Sequence, residues 1–404
     1  MEKTYNNDVI CMMPWIHMHI WPNGNTMPCC MSDSSDVFGN TNHNTIDEII
    51  NNDKFKKLRL QMISGVKPDT CSRCYELEQT ADSYTLRKNS LQQFKDCLPL
   101  IDLTGDDGSV NNFRMRYMDI RFSNLCNMKC RTCGPDLSSK WHDDQIKLFP
   151  DYQSPKFIDV SSKESFMDEL TEHLDYVDEV YFAGGEALIT PQHYDILDYW
   201  LSKNNTNVRL RYTTNFSALK YKNHDILEYW NKFDNVRVAA SLDTHLSQAE
   251  YSRSGTKWDT IVCNRKKMLD VCPDVYFEIT PTVSMFNIMQ LFDFHRSWVE
   301  QELLEIDNIR FNILTAPRYF SITMLSNDYK NRVKDIYSEY IRWLKTIGAR
   351  PDVIHNVSGI VDHMMSADNL HLLPEFKREI TTMDNIRQEN FLDVYPEFGE
   401  LWTQ

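Results

Sequence analysis

Three cysteines stand in the run Cys126-Asn-Met-Lys-Cys130-Arg-Thr-Cys133, which puts three thiols on one short loop at CX3CX2C spacing. That loop leaves one metal position unfilled by local cysteine. A structural zinc site closes with a fourth Cys or His, whereas a [4Fe–4S] cluster held by three thiolates keeps one iron open to a small ligand. The spacing favours the cluster. Downstream, Phe182-Ala183-Gly184-Gly185-Glu186 joins two glycines, which permit close backbone approach, to a carboxylate that suits an amino group. Thr214 and Asn215 follow, then Ser241 and Asp243, a hydroxyl and a carboxylate of the kind that hold ribose hydroxyls. Arg253 is able to clamp a carboxylate through two parallel bonds. Taken singly, these last motifs also read as a turn, a strand-to-helix cap and a solvated charge.

A second set of cysteines precedes the first. Nine of the 11 cysteines fall in the first third of the chain, at 11, 29, 30, 71, 74, 97, 126, 130 and 133. Cys71-Ser-Arg-Cys74 is a two-thiolate chelate, and Cys11 and Cys29 complete four ligands. Four thiolates fit tetrahedral zinc as readily as [4Fe–4S]. Trp15, His17, His19 and Trp21 alternate with Ile16, Met18 and Ile20, a period of two that predicts a strand. Pro22-Asn23-Gly24-Asn25 is its turn. Pairing about Asn23-Gly24 sets Cys29 opposite Met18, with Cys11 returning through a bend at Pro14. Cys29 and Cys30 point to opposite faces, so only one of them faces a shared metal. A helix is predicted at about 45–64. Cys97, Cys263 and Cys272 read as packing thiols, and His17 and His19 as sheet-face residues rather than ligands.

The elements that must position these groups alternate regularly. Strands are predicted near 115–122, 178–183, 207–214, 235–242, 274–283 and 307–314, and helices at 163–177, 191–204, 223–232, 258–271, 288–304 and 327–347. Pro191 falls where a first helical turn tolerates it. Six βα units in succession imply α/β architecture, a parallel sheet curled into a partial (β/α)6 TIM-like barrel whose chemistry sits at the carboxyl ends of the strands. The CX3CX2C loop, Gly184-Gly185-Glu186, Thr214-Asn215 and Ser241 with Asp243 lie at such exits, and Arg253 follows shortly.

Composition narrows the function. With 404 residues the chain has length for a sizeable core. Lys+Arg 43 against Asp+Glu 58 gives a net charge of −15, which repels phosphate backbones and anionic lipid, so polymeric nucleic acid and membrane surfaces are not expected partners. Only 12 glycines leave little material for glycine-rich nucleotide loops. Neither a signal peptide nor a membrane-spanning run is evident, and a cytoplasmic location is expected. In that reducing compartment, clustered cysteines more often hold metal than form disulfides.

On Cys126, Cys130 and Cys133 followed in order by Gly184-Gly185-Glu186, the chain resembles the radical S-adenosylmethionine (radical SAM) superfamily over about 113–315. The resemblance implies that S-adenosylmethionine chelates the open iron and is cleaved reductively to a 5′-deoxyadenosyl radical that abstracts hydrogen from the substrate. It implies that Glu186, beside Gly184 and Gly185, meets the amino group of the cofactor, Ser241 and Asp243 the ribose, and Arg253 the carboxylate, with Thr214 and Asn215 nearby. Thr132 departs from the aromatic or large apolar residue that many members carry there. Cys11, Gly24-X4-Cys29 and Cys71-X2-Cys74 resemble the auxiliary-cluster modules called SPASM and twitch, in the shorter twitch version and ahead of the barrel. Glu76, Glu78, Ser83, Arg87, Asp384, Arg387 and Pro396-Glu397 resemble further positions of N-terminal twitch proteins. The expected organisation is an auxiliary Fe–S domain at 1–112, a barrel at 113–349 and a C-terminal helical extension at 350–404. Expected cofactors are two [4Fe–4S] clusters and S-adenosylmethionine, with a flavodoxin- or ferredoxin-type electron donor. A peptide-modifying enzyme usually requires a leader-binding module, and the first 112 residues look occupied by metal. The expected substrate is therefore a small polar metabolite, sugar or nucleoside. A peptide- or protein-modifying enzyme and a non-enzymatic Fe–S or zinc redox module are the alternatives. Asp243-Thr-His245-Leu-Ser-Gln248 imitates a cobalamin signature, but Gln248 stands where glycine belongs.

Overall fold

In the computed structural model, residues 8–80 and 85–403 are described. The chain divides into two compact units. The first comprises Met1–Leu125, Pro155–Tyr212 and Lys232–Val236, and the second Cys126–Ser154, Thr213–Asn231 and Arg237–Gln404.

In the first unit, a hairpin of β1 (His19–Ile20) and β2 (Asn25–Met27) is followed by β3 (Gly39–Asn40), which runs antiparallel to β2. Helices α1 (Asp53–Ile63), α2 (Ser72–Thr80) and α3 (Leu86–Gln93) come next, then β4 (Tyr117–Ile120). β1 pairs parallel with β4, His19 opposite Asp119. Helix α4 (Glu164–Leu174), strand β5 (Glu179–Phe182), helix α5 (Pro191–Ser202) and strand β6 (Arg209–Thr214) complete two βα repeats, and β4, β5 and β6 pair in parallel. Pro191 occupies the first turn of α5, as expected.

The N-terminal strand is shorter than its alternation predicts. Met13–Ile16 forms a helical turn with Pro14 in its first positions, and only His19–Ile20 is extended. All residues from Val9 to Ile20 are buried, so the period of two did not mark one covered face. Polar groups here are met individually: the Trp15 indole donates to Thr104 Oγ1 at 2.8 Å, and the fully buried Arg59 donates to the carbonyls of Pro14, Gly108 and Ile50 at 2.9, 3.0 and 2.6 Å. The hairpin register also differs. His19 faces Met27 and Ile20 faces Thr26, because the loop contains three residues, Pro22 to Gly24, with Gly24 at φ +83°. A three-residue loop with a left-handed glycine shifts the pairing by one from the two-residue turn expected, so Cys29 is not set opposite Met18. The helix expected at 45–64 is interrupted: Thr45 caps a short helix with a capping box, and Asn52 opens α1 by accepting from the Phe55 amide at 3.1 Å.

In the second unit, β7 (Val236–Ala240), which begins in the first unit, pairs parallel with β8 (Tyr276–Ile279), Val238 opposite Phe277. Helix α6 (Trp258–Val271) connects them. The last predicted strand, near 307–314, is fragmentary, reduced to Asn312–Ile313, which pairs in parallel with Thr282–Val283, and a bridge from Ile309 to Ile279. Helices α7 (Leu291–Glu300) and α8 (Asn327–Thr346) follow, and the C-terminal stretch is helical as expected, with α9 (Pro351–Met365) and α10 (Leu373–Arg387). Cys97 and Cys272 are buried, but Cys263 is exposed on α6, so it is not the packing thiol its helical context suggested. Among the described residues no helix is long and apolar enough to cross a membrane.

Candidate functional site

The loop carrying Cys126, Cys130 and Cys133 is held by the second unit. Cys126 is buried, Cys130 half-buried and Cys133 exposed. Lys129–Cys130 pairs antiparallel with Arg253–Ser254, Cys130 opposite Arg253. Gly255, at φ +107°, permits this, since a Cβ there would lie 2.9 Å from the Asn127 carbonyl oxygen. The Trp141 indole donates to the Cys130 carbonyl at 2.8 Å. Asn215, at the end of β6, donates from Nδ2 to Asn127 Oδ1 at 2.8 Å and lies 4.0 Å from Cys126 Sγ. Its Oδ1 accepts from the Ser217 amide and hydroxyl at 3.0 and 2.6 Å. Thr214 accepts the Phe216 amide at 2.9 Å, and its carbonyl accepts the Ser241 amide at 2.8 Å.

Arg253 is aimed by Asp243. Its Nε donates to Asp243 Oδ2 at 2.7 Å and its Nη2 to Oδ1 at 3.3 Å, while Nη1 lies 3.7 Å from Cys130 Sγ. Asp243 also accepts the Thr282 amide at 2.7 Å. Burial pushes the Cys130 thiol up, and the Arg253 guanidinium works against that shift. A fixed cation beside a buried thiol favours its ionised form, the form that ligates metal.

Behind the loop lies an ionic network that sequence reasoning did not assemble. Arg131, between two candidate ligands, donates from Nη2 to Asp384 Oδ1 and Glu389 Oε2, each at 2.5 Å, and its guanidinium carbon stands 3.7 Å from the centre of the Tyr251 ring. Its amide donates to the Ser252 carbonyl at 2.8 Å. Arg387 Nε and Lys129 Nζ each lie 2.9 Å from Asp144 Oδ2. Asp384 and Arg387 were singled out by resemblance; Arg131 and Asp144 were not, although an arginine placed between two ligand cysteines was a visible signal.

In the first unit, Cys11, Cys29, Cys71 and Cys74 line one cavity, with Met31, Met62, Tyr75 and Leu86 among its other walls. Cys74 stands on α2, and Cys71 ends the short turn before it. Burial pushes the Cys11 thiol up to about 11, helped by Cys74 and opposed by a bond to Ser90. Cys29, Cys71 and Cys74 are raised by burial as well, and in Cys71 the Cys11 and Cys74 thiols add to it. Three buried thiols and the half-buried Cys71 stay protonated until a cation replaces their protons. They line one cavity, and four thiols of this kind fit a tetrahedral zinc or a four-iron cluster. Cys30 turns to another neighbour, Asp119. Arg87 closes the cavity wall, donating to the Ile10 carbonyl at 3.1 Å and pairing through Nε with Glu78 at 3.0 Å. Glu76 is exposed, and Ser83 lies outside the described residues.

Glu186 and its glycines belong to the first unit. Gly184 has φ +133°, and a Cβ on Gly185 would lie 2.2 Å from the Leu125 carbonyl oxygen, so only glycine permits this approach. The Glu186 amide donates to that same carbonyl at 2.8 Å, and its carboxylate accepts the Leu188 amide at 3.1 Å. His17 and His19 are buried and bonded through Nδ1 to the Tyr117 and Asp119 carbonyls at 2.9 and 3.1 Å, in keeping with a structural role.

Residues 11–75 match the SPASM family, described as an iron–sulfur cluster-binding domain. The match begins at Cys11 and takes in Cys29, Cys71 and Cys74. It bears out the recognition of a SPASM/twitch-type protein, and with it an iron–sulfur cluster as a resident cofactor. Among curated proteins none matches the sequence. Similar solved structures include native anSMEcpe with bound AdoMet, at 16% identity and TM-score 0.40 over 58% of this chain and 61% of that one. A form of the same protein with AdoMet and the Cp18Cys peptide gives 14% identity and TM-score 0.39, again over 58% and 61%. TYW1 with a lysine-pyruvate adduct bound gives 14% identity and TM-score 0.28 over 56% and 71%. The chain thus spans about three fifths of the anSMEcpe chain it resembles.

Proposed function

We propose that this protein is a radical SAM enzyme that acts on a small polar metabolite, sugar or nucleoside and draws electrons from a flavodoxin- or ferredoxin-type donor. We propose also that its parallel strands curl as a partial (β/α)6 barrel. The observation that carries the reading is the CX3CX2C loop, whose Cys130 is paired across a short ladder to Arg253, itself ion-paired to Asp243 at the exit of β7. A surface charge has no need of that arrangement, and neither does a strand-to-helix cap.

Cys126, Cys130 and Cys133 would hold a [4Fe–4S] cluster by three irons. Bound there, the cluster and S-adenosylmethionine would supply one-electron cleavage to 5′-deoxyadenosyl radical, the oxidant for an unactivated C–H bond. The chain's own residues bind and orient. Arg253, its plane set by Asp243, takes the cofactor's carboxylate; Ser241 and Asp243 take the ribose hydroxyls. Asn215 braces the loop through Asn127, and Thr214 ties the Phe216 and Ser241 amides beside it. Cys11, Cys29, Cys71 and Cys74 would hold an auxiliary [4Fe–4S] cluster by all four irons, which leaves electron transfer as its contribution.

Metal analysis tests the two-cluster content. After anaerobic reconstitution the protein should contain about eight irons and eight sulfides per chain. The Cys126→Ala, Cys130→Ala, Cys133→Ala variant should keep about half. Stoichiometric zinc with a single cluster would defeat the auxiliary-cluster assignment.

A further inference from the structure

Parallel strands usually read as near-continuous apolar runs, because helices cover both faces. β4, β5 and β6 depart from this. One face follows the rule, with Met118, Val180 and Leu210 side by side and buried. The other is ionic: it carries Asp119 and, just past β4, Arg121; Glu179 and Tyr181 of β5; and Arg209 and Arg211 of β6. Glu179 accepts from Arg209 Nε and Arg211 Nη1, each at 3.0 Å, and Asp119 pairs with Arg121 at 3.1 Å. Two carboxylates therefore face three guanidiniums, an excess of positive charge in a chain whose net charge is −15.

Two of those guanidiniums are stacked in place with part of their surface open. The Arg121 and Arg211 guanidinium carbons lie 4.9 and 5.6 Å from the centre of the Tyr181 ring, which belongs to the strand between theirs. Stacking on an aromatic face fixes a guanidinium while leaving donors at its rim. Their side chains keep 14% and 34% of their surface open. Arg121 is at the strand-exit edge: a Cβ on Gly184 would lie 3.5 Å from its Cα, Cβ and Cδ, so the arginine stem passes beside Gly184. In parallel α/β proteins that edge is where substrates are handled.

We propose that Arg121 and Arg211 anchor an anionic group of the substrate, a carboxylate or a phosphate monoester on a small organic molecule. The inference rests on the radical SAM reading in one respect only, in that it takes this open polar face as the substrate's.

Inorganic phosphate and acetate are the probes, titrated separately into the reconstituted protein at constant ionic strength and followed by the midpoint of thermal unfolding. A saturable rise is expected with at least one of them; phosphate alone assigns a phosphate monoester, acetate alone a carboxylate, and both an anchor that accepts either. Arg121→Gln and Arg211→Gln should each raise the half-saturating concentration about tenfold, as loss of a charge-assisted bond predicts. Arg211→Lys, which keeps a cation for Glu179, should raise it less than Arg211→Gln does. The absence of a saturable rise with either anion would overturn the proposal, and so would a rise that both Gln variants retain unchanged. Cys126→Ala should keep the anion response while releasing no 5′-deoxyadenosine, so the anchor and the radical chemistry fail in separate assays.

Discussion

At the scale of single residues, Arg253 joins the cysteine loop to the proposed cofactor. Its Nε and Nη2 are committed to Asp243 and its Nη1 lies near Cys130 Sγ. Arg253→Ala should weaken S-adenosylmethionine binding by roughly 1.5–3 kcal/mol, the range for a bond to a charged group. Equilibrium binding to the reconstituted variant reads this out, and unchanged affinity would remove the assignment. A different residue predicts a pH dependence. His295 is fully buried beside Tyr340, and burial lowers its pKa to about 3. The unfolded imidazole titrates near 6.5, so between about pH 6.5 and 3 the unfolded chain binds a proton that the folded one refuses. Stability contributed by the neutral ring is complete above that window and falls as pH drops through it, by about 1.4 kcal/mol per unit. His17, lowered to about 4 chiefly by burial, acts in the same direction. Urea unfolding from pH 7 to 5 should show a slope that His295→Gln reduces by about one proton; an identical slope in the variant would contradict the account.

Elements decide how firmly the cysteine loop is held. Helix α10 supplies Asp384 and Arg387, Glu389 follows it, and together they grip the loop through Arg131 and Asp144. Arg131 is almost wholly buried, and Asp384→Asn leaves Glu389 as its remaining carboxylate partner. Leaving a buried charge uncompensated costs about 3–5 kcal/mol, so the loss of one of two partners should cost less. The variant should melt lower and lose iron from the three-cysteine cluster faster on dilution, with the auxiliary cluster unaffected. Equal iron retention would mean that α10 merely covers the loop. This network also shows where the sequence was readable. The helix at 258–271 and the strand near 207–214 were legible, because each has a long periodic run and clear ends. The exits bearing Gly184-Gly185-Glu186, Ser241 and Asp243 followed from the strands. The segment at 15–21 misled, because a chain buried on all sides has no face for a period of two to report. The grip of Asn215 on Asn127, 88 residues away, and of Arg131 on Asp384, 253 away, came from tertiary packing, which local pattern does not encode. Nor did spacing choose between Cys29 and Cys30; the cavity wall contains the first.

At the scale of the whole molecule, two cysteine sets divide the work. If Cys11, Cys29, Cys71 and Cys74 hold all four irons of an auxiliary cluster, as proposed, no iron is left for substrate and the cluster's proposed contribution is electronic. A Cys71→Ala, Cys74→Ala variant that stays folded and binds S-adenosylmethionine should cleave the cofactor yet release shunted product or none. Normal product at an undiminished rate would reduce the auxiliary cluster to a structural staple. The net charge of −15 disfavours a polyanionic partner such as nucleic acid, and the proposed anion anchor beside Tyr181 would take a small anionic molecule. All of this depends on one reaction. Dithionite-reduced, reconstituted protein incubated anaerobically with S-adenosylmethionine should release 5′-deoxyadenosine slowly even without substrate, and the Cys126→Ala protein should release none. Wild-type protein that contains both clusters, binds S-adenosylmethionine and still forms no 5′-deoxyadenosine above the Cys126→Ala background would contradict the central claim.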